Sequence, residues 1–282
     1  MENSNYFYLY SFIFISFYMF DLRVTLIQSG IFWEDPVKNI EHFGRKIDEV
    51  PTQTDLIVLP EMFNTGFSTN PHRCAETTDG AATGLMREKS VKGNFMIMGS
   101  ILVEEGGAYF NRLICMRPDG TFSKYDKRHL FRLSDEYKIM KSGKEKTIVG
   151  WRGWNILPLV CYDLRFPVWS KNTWKDDIYE YDILLYIANW PGSRSPVWKS
   201  LLIARAIENQ CYVIGVNRIG KDGHGTSHLG NSMIIDPEGT ILCSAEEEKP
   251  AILQSILSMK RLREFRDFYP FAPDWDHFTI QL

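Results

Sequence analysis

Short apolar runs of strand length alternate with helical repeats early in this chain, and hairpins are interspersed further on. LRVTLIQ (22–28) is an alternating, β-branched run that reads as a strand. EDPVKNIEHFGRKIDEV (34–50) follows, with Val37, Ile40, Phe43, Ile47 and Val50 at helical spacing and Pro36 suited to a first turn. DLIVL (55–59) is again a strand. FMIMGSILV (95–103) and AYFNRLICM (108–116) flank a Gly-Gly turn at 106–107, and PDG (118–120) turns the chain into TFSKY (121–125). DILLYIA (182–188), YVIGVN (212–217), NSMIID (231–236), TILCSA (240–245) and AILQSI (251–256) are further strands. PVWKSLLIARAIENQ (196–210) is a helix with Trp198, Leu201, Leu202, Ala206 and Ile207 on one face, and KRLREF (260–265) starts a short one. This order predicts an α/β domain with mixed sheets. With no internal repeat or composition break, one domain over 22–282 is the simplest partition.

Composition narrows the function classes. The 282 residues are ample for one large core. A net charge of −3, with 32 Lys and Arg scattered along the chain, gives no nucleic-acid surface. Five cysteines at irregular spacing argue against a disulfide framework and for a reducing, cytoplasmic setting. His72 and Cys74 are neighbours, but no second ligand pair has metal spacing, so no metal is expected. Residues 1–21 form an apolar extension containing YFYLYSFIFISFYMF (6–20). It lacks a basic flank and a small-residue cleavage site, and it falls short of the roughly 20 residues that span a bilayer. The expectation is an upstream start with Met19 as the true one; an uncleaved anchor or a signal peptide are the alternatives.

Three strand ends carry reactive side chains. LPEMFNTGF places Glu61 after DLIVL, KYDKRHLF (124–131) places Lys127 in a polar loop after a strand, and ILPLVCYDLRFP (156–167) stops at Cys161 before a polar, proline-terminated turn. A strand that ends on a nucleophile and then turns exposes that side chain at a sheet edge, where the next N–H groups can face an oxyanion. Taken singly, each has a plainer explanation: a solvated charge for Glu61 or Lys127, a small core residue for Cys161. Jointly, three such strand ends point to one catalytic centre. No Cys–His protease signature surrounds Cys161, although His129, His224 and His228 lie in nearby loops.

These segments together resemble the nitrilase (carbon–nitrogen hydrolase) superfamily over 22–282. Within it they are most similar to the bacterial omega-amidase branch, which acts on 2-oxoglutaramate and similar 2-oxo acid amides. The resemblance is carried by LPEMFNTGFS (59–68), KRHLFRLSDE (127–136), CYDLRFPVW (161–169), NWPGSRSPVW (189–198) and ARAIENQCYVIGVNRIGKDG (204–223). It implies a four-layer α-β-β-α sandwich that pairs into a homodimer or a larger assembly, and no cofactor. GTSHLGNS departs from related members, with His228 and Leu229 where an aromatic residue precedes the glycine.

The resemblance further implies amide hydrolysis through a thioester. Cys161 is the nucleophile, Glu61 its base, and Lys127 with the Tyr162 N–H the oxyanion donors; Glu136 holds Lys127, with Asp135 its replacement if the register slips by one. For the substrate carboxylate Arg165 is the first candidate and Arg194 the second, since a guanidinium can bind it bidentately. A salt bridge to a nearby acid is the alternative use of either. Phe67 and Trp190 are expected to wall the pocket, and Asn189 to orient the loop opposite Cys161. The alternatives in function are an N-carbamoyl amidase or a deaminated glutathione amidase, with a true nitrilase further off. From other classes stand a catalytically silent binding module and a membrane-attached protein whose essential part is residues 1–20.

Overall fold

The computed structural model describes residues 21–281. The expectations for residues 1–20 and Met19 lie outside the described residues. Two six-stranded sheets form the centre. The first uses β1 (Leu22–Gln28), β2 (Leu56–Val58), β3 (Met96–Glu105), β4 (Ala108–Met116) and β5 (Phe122–Asp126). The second uses β6 (Val149–Trp151), β7 (Trp154–Val160), then, beyond the small ladder β8 (Trp174–Lys175) and β9 (Ile178–Tyr179), β10 (Ile183–Ala188) and β11 (Tyr212–Asn217). After the hairpin β12 (Ile219–Lys221) and β13 (Ser227–Leu229), β14 (Met233–Ile235) and β15 (Ile241–Ser244) complete the second sheet, and β16 (Ala251–Leu257) returns to pair with β1. The orders are β16-β1-β2-β3-β4-β5 and β15-β14-β11-β10-β7-β6.

Parity explains why the sheets stack. Along the first sheet Leu22, Val24, Leu26, Leu56, Val58, Met96, Met98, Leu113 and Cys115 face the second sheet. The intervening Ile27, Ile57, Ile97, Ile114 and Met116 face helices. Side chains alternate faces along a strand, so a run apolar at every position must be covered on both sides. The outer cover of the first sheet is α1 (Pro36–Asp48) and α3 (Ala81–Gly93), with the one-turn α2 (Pro71–Cys74) between them in sequence. On the second sheet it is α6 (Ser195–Asn209), which buries Trp198, Leu202 and Ala206, while α7 (Met259–Phe268) adds Met259 and Leu262 to the core and pairs Arg266 with Asp182 just ahead of β10. The short α4 (Glu136–Ile139) and α5 (Pro167–Ser170) belong to connections. This is a four-layer α-β-β-α sandwich in one domain, as the sequence led us to expect.

Two helix faces differ from expectation. Val37 is 78% exposed, because α1 buries Phe43 and Ile47, and six residues at 3.6 per turn put Val37 about 120° away from Phe43. Ile207 is 51% exposed, nine residues and so about half a turn away from Trp198.

Chain direction positions the site. β1, β2 and β3 run parallel, and the hairpin steps to β4 and β5 bring β5 back into that direction. β7, β10 and β11 are likewise parallel. The C-terminal ends of β2 and β5 therefore open on one rim of the first sheet, and those of β7 and β10 on one rim of the second.

Candidate active site

The side chains at these strand ends meet. Glu61 lies just past β2, while Lys127, Cys161 and Asn189 are the first residues after β5, β7 and β10. Lys127 is not in a solvated loop: it is buried at 1% exposure, with Glu61 and Glu136 at 0%. Its Nζ donates to Glu61 Oε1 at 2.9 Å and to Glu136 Oε1 and Oε2 at 3.0 and 3.1 Å. The Cys161 thiol faces this cluster and feels the charges of Glu61, Lys127 and Glu136. The order Glu, Lys, Cys read along the chain is thus one cluster in space, and Glu136 rather than Asp135 faces Lys127; Asp135 pairs with Lys138 in solvent.

Backbone geometry holds each member. Cys161 adopts φ +48°, and Met62, next to Glu61, adopts φ +46°. Non-glycine residues rarely occupy this left-handed region, and such strain collects at functional sites where surrounding contacts over-determine it. Met62 N–H is fixed by the Ser100 hydroxyl at 2.9 Å. Cys161 begins a 3-10 turn, Cys161–Arg165, that ends before Pro167. The Lys127 carbonyl accepts from Gly143 N–H at 3.0 Å. A Cβ on Gly143 would lie 2.0 Å from the Asp126 carbonyl, so only glycine lets the 140–144 loop close over Lys127.

Charges in this cavity set one another. Burial would push the Lys127 ammonium down, but the Glu136 and Glu61 carboxylates outweigh it and hold Lys127 above its ordinary value. Burial pushes the Glu136 carboxyl up, against the pull of Lys127. Burial and the Glu61 charge push the Cys161 thiol well up, with Lys127 opposing. This balance favours the neutral thiol, with the Glu61 side chain beside it. An amide carbon placed at Sγ would find a proton acceptor on one side and an ammonium on another, the arrangement for acyl transfer to sulfur.

A cavity of about 550 Å³ opens above this cluster. Glu61, Lys127 and Cys161 lie in its lining, and so do the expected substrate contacts Phe67, Tyr162, Arg165, Asn189, Trp190 and Arg194. Glu136 is not in the lining; it sits behind Lys127. The Phe67 ring lies 5.1 Å from Lys127 Nζ. Arg165 stacks over Trp190 at 5.2 Å and Arg194 over Phe131 at 5.2 Å. Among the described residues neither guanidinium is in a salt bridge, so the alternative of a nearby acid is not realised. Asn189 does more than shape a loop: its N–H donates to Glu61 Oε2 at 2.7 Å and its side-chain amide to the Glu61 carbonyl at 2.7 Å.

Several residues at the site carry no strand-end signal. Asn111, in the middle of β4, donates to Glu61 and Glu136. The signal for it was a polar residue at the same parity as core-facing Leu113 and Cys115. Asp163, fully buried, accepts from Val160 N–H at 3.1 Å and from the Tyr125 hydroxyl at 2.8 Å. Phe131 N–H donates to Glu136 at 2.6 Å. His228 also lines the cavity, with its ring between the Trp190 carbonyl at 3.2 Å and Asp222 at 3.3 Å.

Comparison with known proteins identifies relatives along nearly the whole chain. The carbon-nitrogen hydrolase family model matches residues 23–267. Omega-amidase YafV from Escherichia coli (strain K12) is 44% identical over 259 residues, 92% of this chain and 98% of that protein. The 2-oxoglutaramate amidase of Bacillus subtilis (strain 168) is 32% identical over 255 residues, 89% of this chain and 96% of that protein. A crystal structure of a CN-hydrolase superfamily protein from Xanthomonas campestris, with an arsenic adduct in its active site, superposes with a TM-score of 0.91 at 38% identity, over 93% of this chain and 100% of that one.

Proposed function

The chain belongs to the carbon–nitrogen hydrolase family, and within it we propose an omega-amidase that converts the terminal amide of 2-oxo acid amides, such as 2-oxoglutaramate and 2-oxosuccinamate, to a 2-oxo dicarboxylate and ammonia. The observation that carries this reading is the buried Glu61–Lys127–Cys161 cluster in one cavity with two guanidiniums, Arg165 and Arg194, that form no salt bridge among the described residues. An amide substrate with a carboxylate at its far end matches both: its amide over Cys161, its carboxylate at a guanidinium.

In the proposed cycle Cys161 Sγ attacks the amide carbon as its proton passes to Glu61. Negative charge on the former carbonyl oxygen is met by Lys127 and the Tyr162 N–H. Collapse breaks the C–N bond, Glu61 returns its proton to the departing nitrogen, and ammonia leaves a thioester on Cys161. Glu61 then takes a proton from water, the hydroxide attacks the thioester, the C–S bond breaks to release the acid, and Glu61 passes its proton to the departing sulfur to restore the thiol. Glu136 keeps Lys127 charged and aimed throughout. Loss of a comparable oxyanion donor costs about 3–4 kcal/mol of transition-state stabilisation in other acyl transfers. The catalytic unit starts at β1, works as a homodimer or larger assembly, and resides in the cytoplasm; five free cysteines are in keeping with the last point.

The test is ammonia release from 2-oxoglutaramate beside glutamine, a simple aliphatic amide and a nitrile, with Cys161→Ala as control. Selective turnover of the oxo-acid amide, lost in the variant, supports the reading. Preference for another member of the panel moves the protein to a different branch of the family.

A further inference from the structure

Asn111 touches all three charged members of the cluster and is not itself part of the substrate cavity's lining. Its backbone carbonyl accepts the Lys127 N–H at 3.0 Å, fixing the residue that carries the ammonium. Its side-chain Nδ2 donates to Glu61 Oε1 at 2.8 Å and to Glu136 Oε1 at 3.3 Å. Asn111 is 0% exposed and lies in β4 at the parity of Leu113 and Cys115, where the sandwich otherwise takes apolar side chains. An amide buried there needs a polar reason.

The reason is a charge count. Two acidic side chains against one ammonium leave a surplus of acid in a buried cluster. The amide nitrogen has two N–H groups and can serve one carboxylate with each, without changing that count. A cationic side chain would compete for the base, and an acidic one would draw in a proton. We propose that Asn111 is a positioning residue that acts through Glu61, keeping this carboxylate unprotonated and turned toward Cys161 while Glu136 stays on the far side of Lys127. The proposal rests on Glu61 being the base of the reaction.

The groups facing Glu61 are Lys127 and Glu136 within the cluster and Cys161 toward the cavity, with the neutral N–H of Asn189 at its other oxygen. A hydrogen bond to a carboxylate favours its ionised form. Removing the Asn111 donor therefore raises the proton affinity of Glu61, and the acid limb of kcat/KM moves to higher pH. A bond to a charged group corresponds to a displacement of about one pH unit.

The experiment is kcat/KM from about pH 5 to 9 for Asn111→Ala and Asn111→Ser, with thermal unfolding of each and with whichever panel amide turns over fastest. We expect the acid limb to rise by about one unit, with kcat/KM about tenfold down on the acid side and largely regained at alkaline pH. A limb at its wild-type position overturns the proposal. So does loss of activity that follows unfolding in both variants, which would leave Asn111 a purely structural role. Glu61→Gln separates the two readings. If it still turns over, Glu61 is not the base and the parent reading fails. If it is dead while the Asn111 variants keep the wild-type limb, this inference alone fails.

Discussion

Asp163 Oδ1 accepts from both the backbone N–H and the ring Nδ1 of His129, at 2.9 and 2.8 Å. Its other oxygen takes the Tyr125 hydroxyl and the Val160 N–H. One buried carboxylate thus joins the turn that begins at Cys161 to the chain on both sides of Lys127. Burial of an acid is costly unless its lone pairs are filled, and here each oxygen has two donors.

Asp163→Asn keeps the shape but turns one acceptor oxygen into a donor that must face other donors. We expect a loss of about 1–3 kcal/mol in unfolding free energy and a fall in kcat larger than any rise in KM. Denaturant unfolding and steady-state kinetics on the same preparation check it; wild-type kcat in the variant would show that the Cys161 turn does not depend on this brace.

Lys127→Met removes the ammonium and leaves two buried carboxylates facing each other. Breaking a buried ion pair from one side costs about 3–5 kcal/mol, and turnover should be abolished. The deficit has a pH sign. With Lys127 gone the carboxylates, of which Glu136 is already pushed up by burial, hold protons in the folded state more tightly than when unfolded. Stability relative to wild type should then recover as pH falls and worsen as pH rises. Urea midpoints at mildly acidic and mildly alkaline pH, compared with wild type, decide this.

The Cys161 thiol, pushed up by burial and by Glu61, should be a poor nucleophile toward a reagent that brings no amide. Alkylation of Cys161 by iodoacetamide, followed by mass spectrometry of its peptide, should be slow at neutral pH and climb through alkaline pH without levelling near the value of an ordinary thiol, about 8.5. A plateau below neutrality would mean a resting thiolate and would contradict proton transfer to Glu61 during attack.

Arg165→Lys retains charge but not the planar fork. Turnover of a 2-oxo acid amide should drop about 10- to 100-fold in kcat/KM, with a much smaller effect on a simple aliphatic amide. Equal losses on both would remove Arg165 from carboxylate recognition, and the same comparison on Arg194→Lys would then be the informative one.

The strands were legible because their apolar runs are covered on both faces and so carry strong signal. β1, β4 and β11 have the expected bounds. α3 went unread: its buried face is Ala82, Thr83, Met86 and Ser90, small or polar residues that leave no clear apolar stripe. The hairpin β12–β13 and the strand β6 are three residues per strand, below what periodicity can resolve. At the site, Glu61, Lys127, Cys161 and Glu136 could be picked out because each stands in a motif. Asn111 and Asp163 act through partners distant in sequence, 50 residues away for the Asn111–Glu61 bond and 34 for Asp163–His129, and a linear reading has no view of such pairs.

The two rims that meet at the cavity belong to different sheets: Glu61 and Lys127 ride on one, Cys161 and Asn189 on the other. The proposed proton acceptor and nucleophile are thus registered across a layer boundary, by the packing of one sheet on the other and by the Asn189–Glu61 and Asp163–His129 hydrogen bonds that cross it. A slip of the layers by a fraction of an ångström, too small to melt a strand, would uncouple them. Turnover in this architecture is a gauge of interlayer alignment, and substitutions in the apolar seam, far from any substrate, belong to its catalytic sequence space.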